Sequence, residues 1–443
     1  MKLLLNIFFL LLFLSCSFDN RTGIWNNENN PLNKNKNNKT FSEFKTLSSK
    51  NDSFNKIIPF DKNEAIFLSK AEINNSWNDI YYNKTNNPIN FKYEDLNKLI
   101  FKSKKITKHE IGNYILLENN IIFVSTIKGD IIFYSIEQKR VVNKFNFYKK
   151  KFKNIPKKLN IIVQNNIIYI SDNLGFLYAF DYLSDKLLWA QNYKIPFRSN
   201  LKLYENRLVA ANQNNILYFF DKNSGEILKL IPTEETLVKN QFENNISISK
   251  NFSYFLNTYG SFYAIDNKSM QILWFINLNQ SNDLNPSNLF SSNQIVNHKN
   301  NSIVTSNKFT YVLNNESGLV EFKYNFSSLF KPIVNNNNVY LISKDNLLIC
   351  FNLRNGKILY SYNIDEMISN FLKIKKKKSE LKNIVIAENK INIFLQNSHV
   401  LKLSPSGKMI DVIKLPSKLK TYPIFFQKNL IFIDKKNKIS IVN

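Results

Sequence analysis

Cysteine stands at only two positions, Cys16 and Cys350, and histidine at three, His109, His298 and His399, in a chain of 443 residues. Two cysteines cannot build a disulfide framework, and three histidines so far apart leave little from which to assemble a zinc site. Glycine is scarce, at nine residues, and only five of the sixty basic side chains are arginine. A surface that reads phosphate draws on arginine, whose planar fork grips phosphate at two points, so nucleic acid is not expected as a partner. Disorder of the whole chain is excluded as well, because 44% of residues are hydrophobic, near the globular norm.

Sixty Lys and Arg against 34 Asp and Glu give a formal net charge of +26. Such an excess attracts anionic partners in general. Here it travels with abundant Lys, Asn, Ile and Phe and with the glycine deficit, the joint skew of an AT-rich coding sequence. The charge is therefore read as compositional and not as a selected basic surface.

Met1-Lys2 opens an apolar run from Leu3 to Leu14, interrupted only by Asn6 and followed by Ser15-Cys16-Ser17. One positive residue, about a dozen apolar ones and a small residue before the cut make a secretory signal, too short to span a bilayer at about 20 residues. Phe13-Leu14-Ser15-Cys16 resembles the lipobox of bacterial lipoproteins, in which the chain is cut before a cysteine that then carries lipid. The resemblance implies a signal peptide over residues 1–15, a lipid on Cys16, and a mature chain held on a membrane by its acyl carbons at roughly 0.8 kcal/mol per buried CH₂. Residues 16–54, rich in Asn and Lys, have too little apolar surface to offset the entropy of ordering and are expected to form a flexible tether. Residues 55–97 read as an irregular segment, with Glu64 to Leu68 a short helix or strand and Trp77 in a loop.

From residue 98 onward, short apolar alternations recur with turn residues between them, the signature of strands and hairpins. The clearest copies are Gly175-Phe176-Leu177-Tyr178-Ala179-Phe180-Asp181, Asn215 to Asp221, and Gly260-Ser261-Phe262-Tyr263-Ala264-Ile265-Asp266. Weaker copies end at Ser135, Asn314, Asn352, Ser404 and Asn443, so seven steps cover 308 residues, a mean of 44 per unit. A period of that size without a helical pattern predicts an all-β, eight-bladed β-propeller with four-stranded antiparallel blades over residues 98–443. Asn pairs such as Asn119-Asn120 and Asn165-Asn166 stand where hairpins call for positive φ, which Asn tolerates better than most residues. Trp189 and Trp274 each follow the aligned Asp by eight residues and are expected to pack one blade against the next. The last unit supplies only three strands, so an N-terminal strand within residues 98–106 should pair with it and close the ring.

The pattern Gly-x-Leu-Tyr-Ala-Phe-Asp with Trp189 eight residues on, echoed from Gly260 to Trp274, resembles the repeat of PQQ-like propellers. Together with the lipobox, the length and eight units, it is similar to the BamB family of outer-membrane assembly lipoproteins. That resemblance implies a non-enzymatic scaffold with no cofactor, at the periplasmic face of the outer membrane, which binds the POTRA domains of BamA and other BAM subunits and aids delivery of outer-membrane proteins. Unfolded outer-membrane proteins are a further candidate partner. It also implies a contact surface in the loops of the early blades, where Arg198 matches the family's arginine, Phe197 keeps an apolar anchor beside it, and Glu243 stands near an acidic position. Two alternatives stay open: a quinoprotein dehydrogenase using PQQ and calcium on the same fold, and a scaffold for another envelope partner. Cys350, on an apolar strand, reads as a buried thiol, and Lys375 to Lys378 as a solvated loop insertion.

Overall fold

The computed structural model describes residues 54–235, 242–279 and 289–443, which belong to one compact unit, Ser53–Asn443. A separate unit, Met1–Asp52, is described only by an antiparallel pair, Ser17–Phe18 with Trp25–Asn26, and Cys16 lies outside the described residues.

Eight four-stranded antiparallel sheets follow one another along the larger unit: blade 1 spans residues 111–146, blade 2 159–192, blade 3 202–231, blade 4 245–277, blade 5 296–324, blade 6 333–363, blade 7 381–414, and blade 8 424–442 with 99–102. In blade 2 the strands are Leu159–Gln164, Ile167–Asp172, Phe176–Asp181 and Lys186–Asn192, running from innermost to outermost. We letter the strands A to D in that order in every blade. The period-2 alternation of strand C feeds two layers at once. Leu177 and Ala179 pack toward Leu208 and Phe220 of blade 3, while Tyr178 and Phe180 pack toward Phe133 and Phe145 of blade 1. A leucine or phenylalanine fully buried in these layers contributes roughly 1.5–3 kcal/mol. Blade 8 joins Ile424–Phe426, Asn429–Ile433 and Ile439–Val442 to Leu99–Lys102, so the first strand of the ring pairs with the last and leaves no open end.

The asparagines of the A–B hairpins hold left-handed conformations: Asn119 and Asn120 at φ 50° and 61°, Asn165 and Asn166 at 53° and 67°. Asn thus supplies what glycine supplies in hairpin turns elsewhere.

A lock repeats between blades. The Trp189 indole lies over Gly225 of blade 3 and donates its N–H to Lys222 O at 3.0 Å. The Trp274 ring lies over Gly318 of blade 5, without a hydrogen bond from its indole N–H among the described residues, and Phe322 over Gly356 of blade 6.

Residues 55–97 are less irregular in role than in outline. Residues 64–68 form neither helix nor ladder, and Trp77 is buried, exchanging backbone hydrogen bonds with Leu117 at 2.7 and 2.9 Å. Between Asn74 and Glu94 the chain crosses the axis and bonds to strand A of every blade. Asn78 O accepts from Val163 N–H, Lys84 O from Ile248 N–H, and Thr85 O from Asn297 N–H. Asn86 Nδ2 donates to Ile246 O and Ile295 O, Asn87 pairs through both amide atoms with Val334, and Asn74 Nδ2 donates to Phe425 O. Phe91 N–H donates to Ile386 O, and Asp79 holds Lys202 of blade 3. The innermost strand of each blade is a sheet edge facing the axis, and asparagine amides are peptide groups in miniature that satisfy it. The segment is a plug at the end of the channel where the A strands finish.

One helix, Ile364–Leu372, occurs where only a lysine-rich loop is expected; Asn363 caps it by accepting from Glu366 N–H at 3.0 Å. Cys350 is a buried free thiol, its pKa pushed up by burial.

Candidate interaction site on the loop face

In an A–B–C–D meander, the A–B and C–D turns share one end of the ring, and the B–C and blade-to-blade D–A connections share the other. The plug seals the first end. The second presents the longer loops, and side chains from three of those loops meet.

Arg198 sits in the connection from blade 2 to blade 3. Its N–H donates to Ala211 O at 2.9 Å and its C=O accepts from Asn244 N–H at 2.8 Å, so the loop is stitched to blade 3 and to the start of blade 4. Asn244 directly follows Glu243, so the same stitch brings Glu243 beside Arg198. Lys158, from the connection before blade 2, ion-pairs with Glu243. With Asn160 and Asn173 these residues line a depression of about 290 Å³. Arg198 is half-buried, and among the described residues no carboxylate pairs with it, because Lys158 takes Glu243. An unengaged planar fork next to a satisfied acid–base pair suits an incoming carboxylate or backbone carbonyl.

Phe197 lies beneath Arg198. It is 2% exposed and packs edge-on against Tyr193 and Phe220, with ring centroids at 5.9 and 6.0 Å. It lies in the floor of the depression and anchors the loop that carries Arg198. Lys158 was not singled out from sequence, where it is one of several lysines in a run; only the fold pairs it with Glu243, 85 residues on.

A second cavity, also about 290 Å³, lies on the axis and is floored by the plug. Tyr81, Tyr114, Tyr422 and Lys331 line it, with Leu329 and Ile384. Tyr114 donates toward Tyr81 Oη at 3.5 Å, and burial raises the pKa of both. Lys331 turns its ammonium inward to Asn86 O at 2.9 Å, and its pKa falls from 10.5 to about 7, first through burial and next through repulsion by Lys202. A lysine whose folded pKa is lowered subtracts stability while both states are charged, and that penalty is relieved as pH rises from the folded to the unfolded value. Urea unfolding across pH 7 to 10.5 should show parent stability rising relative to Lys331→Met; equal pH slopes for the two proteins would contradict the assignment. Calcium takes oxygen ligands rich in carboxylate, yet among the described residues no Asp or Glu lines this cavity, while Lys331 does. Among the described residues there is also no cluster of three or more His, Cys, Asp or Glu fit for a metal. The donor set does not fit a calcium-dependent quinone.

Eight blades with PQQ-type repeats, closed by the N-terminal strand and carrying their exposed chemistry on loops, define a PQQ-repeat β-propeller. The chain belongs to the family described as outer membrane protein assembly factor BamB, whose match spans residues 140–362, half of the chain. Among solved structures, it is similar to BamB from Moraxella catarrhalis, at 13% identity and a TM-score of 0.61, covering 78% of this chain and 99% of that one. The computationally designed Ika8 protein matches at 12% identity and a TM-score of 0.58, over 78% of this chain and 99% of the other. Quinohemoprotein alcohol dehydrogenase from Comamonas testosteroni matches at 8% identity and 0.61, over 84% and 81%. At such identities the likeness is one of fold. No curated protein sequence matches the chain.

Proposed function

We propose that this chain is a non-enzymatic scaffold subunit of an outer-membrane β-barrel assembly machine, tethered by lipid on Cys16 at the periplasmic face and docking the POTRA domains of BamA on its loop face. The observation that supports the docking site is the convergence of Arg198, Glu243 and Lys158 from three blade connections inside the stretch that matches the family. In this reading Arg198 is the contact, the Lys158–Glu243 pair fixes the rim beside it, and Phe197 holds the loop from beneath. An interface arginine in such a position typically accounts for 2 kcal/mol or more, about a thirtyfold change in affinity.

Titrating the chain with purified POTRA domains from the same organism tests this. Arg198→Glu should weaken binding by about thirtyfold or more without moving the unfolding midpoint; unchanged affinity would remove Arg198 from the interface. Turnover of a redox dye after addition of PQQ and calcium would overturn the scaffold reading and favour the dehydrogenase alternative.

A further inference from the structure

Charge is distributed unevenly between the two ends of the ring. At the plugged end, acids and bases alternate through the C–D turns, as in Glu137 with Lys139, Asp221 with Lys222 and Asp266 with Lys268. At the loop end, the arc from blade 6 through blade 8 to blade 1 is lysine-rich. Lys373 and the run 375–378 are exposed between blades 6 and 7, Lys418 between blades 7 and 8, and Lys104 and Lys105 before blade 1. The exposed carboxylates in these connections are Glu366, Glu380 and Glu110. Hydrogen bonds hold the arc together: Lys435 N–H donates to Lys418 O at 2.9 Å, and Asn437 Nδ2 to Thr107 O at 3.1 Å.

The insertion between blades 6 and 7 adds a second feature. Ile364, Met367 and Ile368 seat its helix on the core between these blades, while Phe371, Leu372 and Ile374 stand 44%, 43% and 53% exposed at its far end. The turn is held in place rather than left loose. Ser369 Oγ donates to Ile374 O at 2.6 Å, and Asp365 accepts from Ser379 N–H at 2.7 Å, fixing both ends of the lysine run. Among the described residues, Lys376 alone of these lysines meets a carboxylate, Glu366 at 3.8 Å, both side chains being 55% exposed. Three large apolar side chains surrounded by lysines, all but Lys376 without a carboxylate partner, form a tip that fits the boundary of a negatively charged bilayer, with the apolar groups among the acyl chains and the lysines at phosphate level. Few arginines and the apolar tip set this surface apart from a nucleic-acid groove.

We infer that the insertion Ile364–Ser379 docks on anionic lipid, with Phe371, Leu372 and Ile374 entering the interface. The contact lies across the ring from Arg198, four blade junctions away, and leaves that site free. The inference does not rest on the identity of the protein partner.

The full-length chain, placed in vesicles of phosphatidylcholine with about 30% photoactivatable phosphatidylglycerol, tests the contact locally, because mass spectrometry reads which residues take the label whatever else anchors the chain. Label is expected on residues 371–378. It should fall at least about tenfold in K375Q/K376Q/K377Q/K378Q, each lysine near such a surface being worth roughly a factor of five. F371S/I374S should lose it similarly, whereas K149Q/K150Q/K151Q/K153Q, an equal charge change in the connection from blade 1 to blade 2, should not. Equal labelling from photoactivatable phosphatidylcholine, labelling that spares the insertion, or protection of these lysines by duplex DNA in place of lipid would overturn the inference.

Discussion

Asp79→Ala will cost about 3–5 kcal/mol of stability, the range found when one partner of a buried ion pair is removed. Lys202 is fully buried and its ammonium meets Asp79 Oδ2 at 2.6 Å, with that carboxylate only 4% exposed. Asn83 O, at 2.9 Å, is a neutral acceptor and cannot offset a buried positive charge. Burial already lowers the Lys202 pKa, while Asp79 raises it. Without Asp79 the amine will shed its proton more readily in the folded state, so the penalty should shrink as pH rises toward 10.5, the value of a free lysine. The double variant Asp79→Ala/Lys202→Met should recover most of the loss, since a well-packed apolar side chain often replaces a buried pair at little cost. Urea midpoints for the three proteins decide it. A loss below about 1 kcal/mol for the single variant would mean that the plug is not fastened to blade 3 through this pair.

Gly225→Ala will lose about 2–5 kcal/mol, from two sources that can be separated. The residue has φ +78°, where a side chain with Cβ is strained, and the new methyl would fall 2.6 Å from Trp189 Cε3 and Cζ3. Trp189 cannot withdraw without giving up its hydrogen bond to Lys222 O. Trp189→Ala alone should cost about 2–4 kcal/mol, toward the lower part of the range for aromatic truncation because the ring is half-buried. In the double variant the methyl occupies space vacated by the indole, so the two losses should fall short of additive by 1 kcal/mol or more, the strain at φ remaining. Strict additivity would show that the aromatic and the glycine do not act as one lock. The same experiment at Trp274 and Gly318 should repeat the pattern.

Strand C announced the fold because its signals are local: a turn residue, alternating apolar positions that face two neighbouring blades, and an Asp that closes the next turn. Asp181 does so by accepting from Leu183 and Ser184 N–H groups. The closing strand was legible from a count, since three strands at the C-terminus required a fourth from elsewhere. The plug was not. Asn74, Asn86 and Asn87 work through side-chain amides bonded to backbone atoms hundreds of residues away, which leaves no periodicity, and in an asparagine-rich chain their number attracts no notice. The helix Ile364–Leu372 was hidden by its nine residues and by the lysine run that follows. At the candidate site, Arg198 and Glu243 could be proposed only through the family resemblance, whereas the burial of Phe197 depends on Tyr193 and Phe220, and the pairing of Lys158 on a contact that only the ring creates. The positive charge, spread along the sequence, acquires a side only when alternate connections are sorted to opposite ends of the propeller.

The loop face around Arg198 is expected to meet another envelope protein. A photo-crosslinking residue at position 198 in living cells tests it most directly, with position 408 in the C–D turn of blade 7 as the control at the opposite end. Adducts with BamA from position 198 and none from position 408 are expected; adducts from 408 alone, or from 198 only with proteins outside the assembly machine, would contradict it.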